Sequence, residues 1–447
     1  MLKMNRTILI LLLAIYSPLL KAQSTQSLKD CIAYGLTHHL SKQVYANEKL
    51  AAKDRSREAL SGYLPTVNIN GGLDDNLKVQ QSVIPAGLFG PTETRIAFTK
   101  QFATTASAQL DQTIYDQSLI TGLKANKYNT KQAELNEVQN DETIVYNICA
   151  AWYQIFVYRE QLFLLRVNLE SYAEQLKISA LKVNKGVATE VDLNKVQVNY
   201  NNTQSQILVA ESNLQLSENQ LKNAMGYPLE KEILIDSVAG NGFQNLFITN
   251  IDSSQFQPEA RTDYKLSDIN ISLLDIDQKR IRAGAFPKLT AYARYGGNGF
   301  GDKLGQSFSS ITDFSAIGLK LNIPLFDGFK RNAQYNQANY KRLNAIKNLE
   351  LDKASYKLEF ENSRTKLVKA KSSVDNDRRN IDLAQSVFKS TDLQYQKGVT
   401  DLTDWLNAQG SLKEAQTNYL NSLYNFYLAG IDLEKAKGTL IQFYNAL

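Results

Sequence analysis

At 447 residues the chain has room for several hydrophobic cores, yet only 43% of it is hydrophobic and only 8 residues are proline. A chain this long, polar and poor in breakers favours extended helices over compact globules. Its net charge of +5 falls to +2 (5−3) once Lys3, Arg6 and Lys21 near the start are set aside, which gives no support for nucleic-acid binding.

The start of the chain has the form of an export signal. Lys3 and Arg6 precede an apolar run from Ile8 to Leu20, and Leu20-Lys21-Ala22 is a tolerable cleavage site. The run falls short of the roughly 20 residues a spanning helix needs, and no later segment qualifies. Entry into a membrane would therefore require a closed β-barrel. Cys31 and Cys149, the only cysteines, fall on helical stretches where a small buried apolar role suits them, with a disulfide left open.

From Leu28 to about Ser61 the pattern is helical, with a break at His38-His39-Leu40-Ser41. Pro65 opens a strand in which Val67 and Ile69 alternate with polar neighbours. Gly71 to Lys100 has no sustained period and is expected to be a loop. In the next strand Phe102, Ala106, Ala108, Leu110 and Ile114 share one face. A helix predicted from Gln117 to Val183 would extend roughly 100 Å at about 1.5 Å per residue. It should reverse at Gly186, where a left-handed cap favours glycine, and return as a second helix. Tyr227 to Thr262 loses periodicity.

The chain then repeats itself. Leu289, Ala291, Ala293 and Tyr295 form one strand face, and Ile317, Leu319, Leu321, Ile323 and Leu325 another. A second long helix is predicted over Lys330 to Tyr395, with a turn at Gly398. Gly186, Asp192 and Gly226 recur as Gly398, Asp404 and Gly438, a constant offset of 212 positions (398−186). The four strands have the length a tilted membrane strand needs, and Tyr63, Phe102, Tyr115, Tyr295, Phe314 and Phe326 near their ends suggest interfacial girdles. In the returning helices Leu193, Tyr200, Ile207, Leu214 and Leu221 recur every seven residues, in register with Trp405, Leu412, Tyr419, Phe426 and Leu433. A smaller residue follows each three positions on (Val196, Thr203 and Ala210; Ala408, Ala415 and Ser422), a pattern for left-handed, interdigitated helix pairs.

These units divide the chain into a signal segment (1–22), a first repeat (23–226, strand pair about 64–115, turn near 186), an equatorial linking element (227–262) and a second repeat (263–447, strand pair about 287–326, turn near 398). Two adjacent histidines, no Cys/His cluster at metal spacing, no P-loop and no nucleophile elbow give an enzyme no footing, and no cofactor or metal is expected. A soluble periplasmic coiled-coil adaptor or scaffold explains the heptads equally well, but not the strands and the leader.

The duplication, Leu64-Pro65 and Phe286-Pro287 at strand starts, Tyr115-Asp116 and Phe326-Asp327 at strand ends, and the Lys185-Gly186-Val187 and Lys397-Gly398-Val399 turns resemble the TolC-like outer-membrane efflux proteins over almost the whole length after the leader. The resemblance implies a mainly α fold with a membrane β-barrel portion. A homotrimer would share one 12-stranded barrel, four strands from each chain, above a periplasmic helical tunnel that docks on an adaptor protein and an inner-membrane transporter. Lys185, Gly186, Val187, Lys397, Gly398 and Val399 would then be adaptor contacts, and Thr290, Arg294, Lys320 and Asn322 would face the barrel lumen by strand parity. Asp404 matches a family aspartate at the periplasmic entrance, where three copies make a cation-selecting ring, joined in the gate by Asp192. Asn407 stands where a second family aspartate is expected. Tyr395 matches a tyrosine that helps hold the entrance closed. Thr400 replaces an expected arginine, which leaves Lys185 or Lys397 as candidate closing cations.

Overall fold

The computed structural model describes residues 25–87, 90–236 and 256–447; the signal segment and most of the linking element lie outside the described residues. Two compact units share the chain. One holds the strands, Asn47–Glu134 and Leu266–Leu349. The other is helical and comprises the described residues up to Ala46, Leu135–Lys265 and Glu350–Leu447.

The elements in chain order are α1 (Leu28–His38), α2 (Leu40–Ser61), β1 (Thr66–Asp75), β2 (Gln81–Ile84), β3 (Thr94–Ala97) and β4 (Phe102–Asp116). There follow α3 (Gln117–Leu123), α4 (Ala125–Asn184) and α5 (Glu190–Met225). The second repeat adds α6 (Thr262–Ala283), β5 (Lys288–Gly301), α7 (Leu304–Ser309), β6 (Ile311–Asn322), α8 (Lys330–Gln396), α9 (Leu402–Lys437) and α10 (Leu440–Ala446).

In the strand unit one antiparallel sheet takes the order β1-β4-β5-β6, so that a hairpin from each repeat meets its counterpart at β4–β5. Register sets the faces. Val67 lies opposite Leu110, Leu110 opposite Ala293, and Ala293 opposite Ile317, so the apolar residues of all four strands share one side. That side is bare: Ile69 is 83% and Ile317 87% exposed. The register shifts between Thr113 and Tyr115, so one extra residue lets Tyr115 pair with Leu289 and rejoin the apolar face.

Three expectations need correction here. Gly71 to Lys100 is not all loop: β1 runs on to Asp75, and the connection holds the β2–β3 hairpin. Asn, Gly and Asp have weak strand propensity, and cross-strand pairing overrides it. Phe314 pairs with Gly296, on the face of Tyr292 and Arg294, and lies beneath the Arg294 guanidinium at 5.7 Å, so it does not join an outer girdle. The helix from Gln117 is interrupted at Lys124, whose N–H bonds Thr121 three residues back at 3.2 Å, a local tightening beside the poor helix former Gly122.

The helical unit is built on the heptad stripes. Val196, Thr203, Ile207, Ala210, Ser217 and Leu221 are buried on α5, and Trp405, Ala408, Leu412, Phe426, Ala429 and Leu433 on α9. α4, with 60 residues, and α8, with 67, are about 90 and 100 Å long. Both enter a core that joins Ile148, Trp152 and Tyr153 of α4 and Leu367 of α8 to Tyr427 and Ile431 of α9, with Tyr153 stacked on Tyr427 at 4.3 Å. A polar contact fixes register between the repeats: Asn168 of α4 donates to Gln416 of α9 at 2.9 Å and accepts from buried Gln409 at 3.1 Å.

Cys31 and Cys149 are both buried free thiols in this core. Burial pushes the Cys31 thiol up to about 12 and raises Cys149 as well. A raised folded-state pKa means the protonated thiol is favoured by folding. Stability is therefore unaffected by these groups below the unfolded pKa near 8.5 and falls as pH rises from there towards about 12. Chemical denaturation of the wild type and a Cys31→Ala, Cys149→Ala variant between pH 7 and 11 should show the steeper alkaline loss in the wild type.

Gly226 and Gly438 end α5 and α9 in left-handed conformation, φ 68° and 74°. A Cβ at Gly438 would stand 2.9 Å from Arg261 Cα, whereas at Gly398, φ 74°, it would meet nothing within 4 Å. Gly398→Ala should cost about 1–2 kcal/mol from backbone conformation alone, and Gly438→Ala clearly more, as read from denaturation midpoints.

Candidate functional site

Two parts of the molecule carry the residues singled out by sequence: the ends of the helical hairpins and the polar face of the sheet. At the hairpin ends the two repeats use the same hydrogen bonds. Val187 N–H reaches the Lys182 carbonyl at 2.9 Å, and Val399 N–H the Gln394 carbonyl at 2.9 Å. Gly186 and Gly398 take φ of 72° and 74°, the conformation that closes such a turn. Lys185, Val187, Lys397 and Val399 are all exposed around them.

The returning helices start differently. Thr189 caps α5 in a reciprocal box with Asp192, its hydroxyl donating to Asp192 Oδ2 at 2.7 Å. That hydrogen bond, with Lys195 at 3.4 Å, holds the Asp192 carboxyl below its ordinary range. In α9 the cap is Asp401, which accepts from the Asp404 N–H at 3.0 Å. Thr400, the residue in place of the expected arginine, donates its hydroxyl to Asp404 Oδ2 at 2.5 Å. Asp404 and Asn407 are exposed one turn apart.

Tyr395 is buried, unlike these acids. It is 5% exposed, in a small core with Tyr172, Val196, Leu402 and Trp405 that draws on both hairpins. The cation over its ring is Lys182, at 3.7 Å, rather than Lys185 or Lys397, which project from the turns. Trp405 packs edge-on against Tyr172 and Phe388 and donates its indole N–H to Asp392 at 2.7 Å. Sequence reasoning missed Lys182, Tyr172 and Asp392. One signal was present: Asp392 and Trp405 stand six and seven positions on either side of Gly398, where a hairpin brings them together.

On the sheet, Thr290 lies opposite Lys320, and Lys288 opposite Asn322. Arg294 has Gln109 opposite on β4. These four sequence-selected residues, Thr290, Arg294, Lys320 and Asn322, share the face opposite the bare apolar one. At the helix end of the sheet Asp116 caps α3, accepting from Ser118 and Leu119 N–H, and pairs with Lys288 at 3.2 Å. Among the described residues no helix is long and apolar enough to cross a membrane, and no group of three His, Cys, Asp or Glu side chains could hold a metal.

The profile of the outer membrane efflux protein family matches residues 46–227 and 275–439. The chain belongs to that family. It is 22% identical to the outer membrane protein TolC of Vibrio cholerae over 406 residues, 88% of this chain and 86% of the relative. With TolC of Escherichia coli it shares 22% over 358 residues, 76% and 70% of the two chains. The fold superposes on CusC, a transmembrane channel, with a TM-score of 0.73, 16% identity, and 92% and 91% coverage. This family member is an outer-membrane exit duct for efflux or type I secretion. The family match sets aside the soluble-adaptor alternative, and the relatives are channel proteins rather than enzymes.

The packing around Trp405 separates an anchor from an exposed neighbour. Trp405→Ala should destabilise the protein by about 3–5 kcal/mol, whereas Asn407→Ala, two positions on, should change stability by less than about 0.5 kcal/mol. Urea titration of each variant in detergent checks the contrast.

Proposed function

We propose that three copies of the chain close β1 of one onto β6 of the next in a 12-stranded barrel, and that their helices form a periplasmic tunnel gated at the hairpin ends. The observation that carries this reading is the sheet itself: one face apolar and bare, the other polar, and two edges without partners among the described residues. Lipid tolerates such a sheet only once its edges are closed.

Exposed apolar pairs on the helices support the trimer. Val191 and Val198, Val209 and Leu216, and Leu351 and Leu358 each stand seven residues apart and face outward, a second seam for a neighbouring chain. Residues 1–22 serve as a cleaved export signal, and the two repeats, 23–226 and 263–447, arose as one unit used twice, joined by the element 227–262.

In the gate, Asp404 with Asp192 supplies the anionic ring, and Asn407 makes that ring weaker than two aspartates would. Tyr395 acts as a wedge between hairpins, held down by Lys182, while Asp392 holds Trp405 behind it. The exposed turns of Lys185, Gly186, Val187, Lys397, Gly398 and Val399 are the surface a periplasmic adaptor meets, with an inner-membrane transporter beyond it. Thr290, Arg294, Lys320 and Asn322 line the lumen. Substrates pass through without chemical change.

Conductance in planar bilayers tests the gate. The wild type should open rarely and favour cations. Removing three copies of a cation–ring contact worth about 0.5–1 kcal/mol each makes Lys182→Ala open at least about tenfold more often. Asp404→Asn should lower cation preference without changing opening. A wild type that never conducts, or a Lys182→Ala channel indistinguishable from it, contradicts the gate.

A further inference from the structure

The two repeats leave the sheet by different routes. In repeat 1, β4 passes directly into α3 at the Asp116 cap, whereas in repeat 2 residues 323–329 intervene between β6 and α8. Gly328 and Phe329 in that connection both have left-handed backbone, with φ of 62° and 64°, and Phe329 is the only non-glycine residue with positive φ among those described. The conformation is disfavoured for a side chain bearing Cβ, and strain of this kind is found at ligand clamps.

The strained turn keeps the Phe329 ring out in solvent. Phe329 is 73% exposed and meets Phe326, 77% exposed, edge to face at 5.5 Å. The pair borders an open cleft of about 560 Å³ that also takes in Arg282 from the last turn of α6, and Arg331 and Tyr335 from the start of α8. Arg331 is held by Asp327 at 3.2 Å. Arg282 is exposed and has no ion pair among the described residues. The cleft adjoins the helix end of β6, where Leu325 and the two rings add exposed apolar surface next to Ile317, Leu319 and Leu321 in the chain.

An uncommitted guanidinium beside exposed aromatic rings, at the rim of a hydrocarbon-facing sheet, matches the chemistry of a phospholipid head. Aromatic rings settle at headgroup level, arginine grips phosphate through two N–H donors, and basic pockets on membrane proteins bind anionic head groups. We infer that the cleft seats the headgroup of an anionic phospholipid from the inner leaflet of the outer membrane. Arg282 takes the phosphate, and Phe326 and Phe329 lie against the glycerol and upper acyl chain. The inference rests on the barrel reading of the sheet, which puts its helix end on the periplasmic side.

The test uses the full-length protein in nonionic detergent, with phosphatidylglycerol, phosphatidylcholine or inorganic phosphate added, followed by native mass spectrometry and thermal unfolding. For the wild type, phosphatidylglycerol should remain bound and raise the midpoint by on the order of 3 °C, while phosphatidylcholine and inorganic phosphate do neither. Arg282→Gln should retain about fivefold less phosphatidylglycerol. Phe329→Gly, which suits the backbone conformation, should stay folded and also lose retention. Undiminished phosphatidylglycerol selectivity in Arg282→Gln overturns the inference. So does an Arg282→Gln protein that loses its trimer while lipid binding is unchanged, since the cleft would then be a subunit contact. A protein that dissolves without detergent would instead sink the barrel reading itself.

Discussion

A backbone amide in hydrocarbon has no water to bond and must find another strand. In this chain that constraint falls on β1 and β6, the outer strands of the sheet, each bonded on one side only. Their apolar residues point away from the polar face and have no cover among the described residues, Ile69 and Ile317 most of all. A soluble protein would cover or charge such edges. In the proposed trimer they are matched to one another across copies, and a rotationally symmetric ring would satisfy every edge with a single kind of contact.

The helices meet a related demand in water. α4 and α8 are too long to be stabilised by their own hydrogen bonds and too polar to be buried all round. The chain answers with stripes. Val196, Thr203 and Ala210 on α5, and Trp405, Ala408 and Leu412 on α9, let large and small side chains interlock. The contact between Asn168, Gln409 and Gln416 adds register, because a slide of one helix past the other would strand buried amides. At the hairpin ends the packing becomes aromatic, with Tyr172, Tyr395 and Trp405 joining the two repeats where the proposed gate must both hold and release.

The sequence made the repeated plan readable because its signals are local. A glycine in left-handed conformation and a seven-residue stripe each depend on near neighbours, so Gly186, Gly398 and the α9 heptads could be read directly. Strand alternation likewise revealed the two-faced character of β5 and β6. What escaped depends on partners distant in the chain. The outer part of β1 is a strand only because β4 pairs with it, despite Gly71, Gly72 and two aspartates.

At the hairpin ends, the turns, Asp192 and Asp404 were visible, but the contacts that hold Tyr395 were not. Lys182 reaches the ring from the other hairpin, a distance of more than two hundred positions in sequence. Thr400 was noticed as a departure from the family pattern, and its hydroxyl turns out to engage Asp404. The side chain at this position therefore donates a hydrogen bond to the acid and brings no cation to the turn.

Closure of the sheet by neighbouring copies is tested most directly by cross-linking its edges. With Cys31 and Cys149 replaced by alanine, one cysteine is placed on β1 at Ile69 and the second is moved along β6 through Ile317, Leu319 and Leu321. Mild oxidation in detergent should give covalent trimers for one β6 position and little product for its neighbours. Covalent dimers alone, or no inter-chain product at any position, would contradict a barrel shared by three chains.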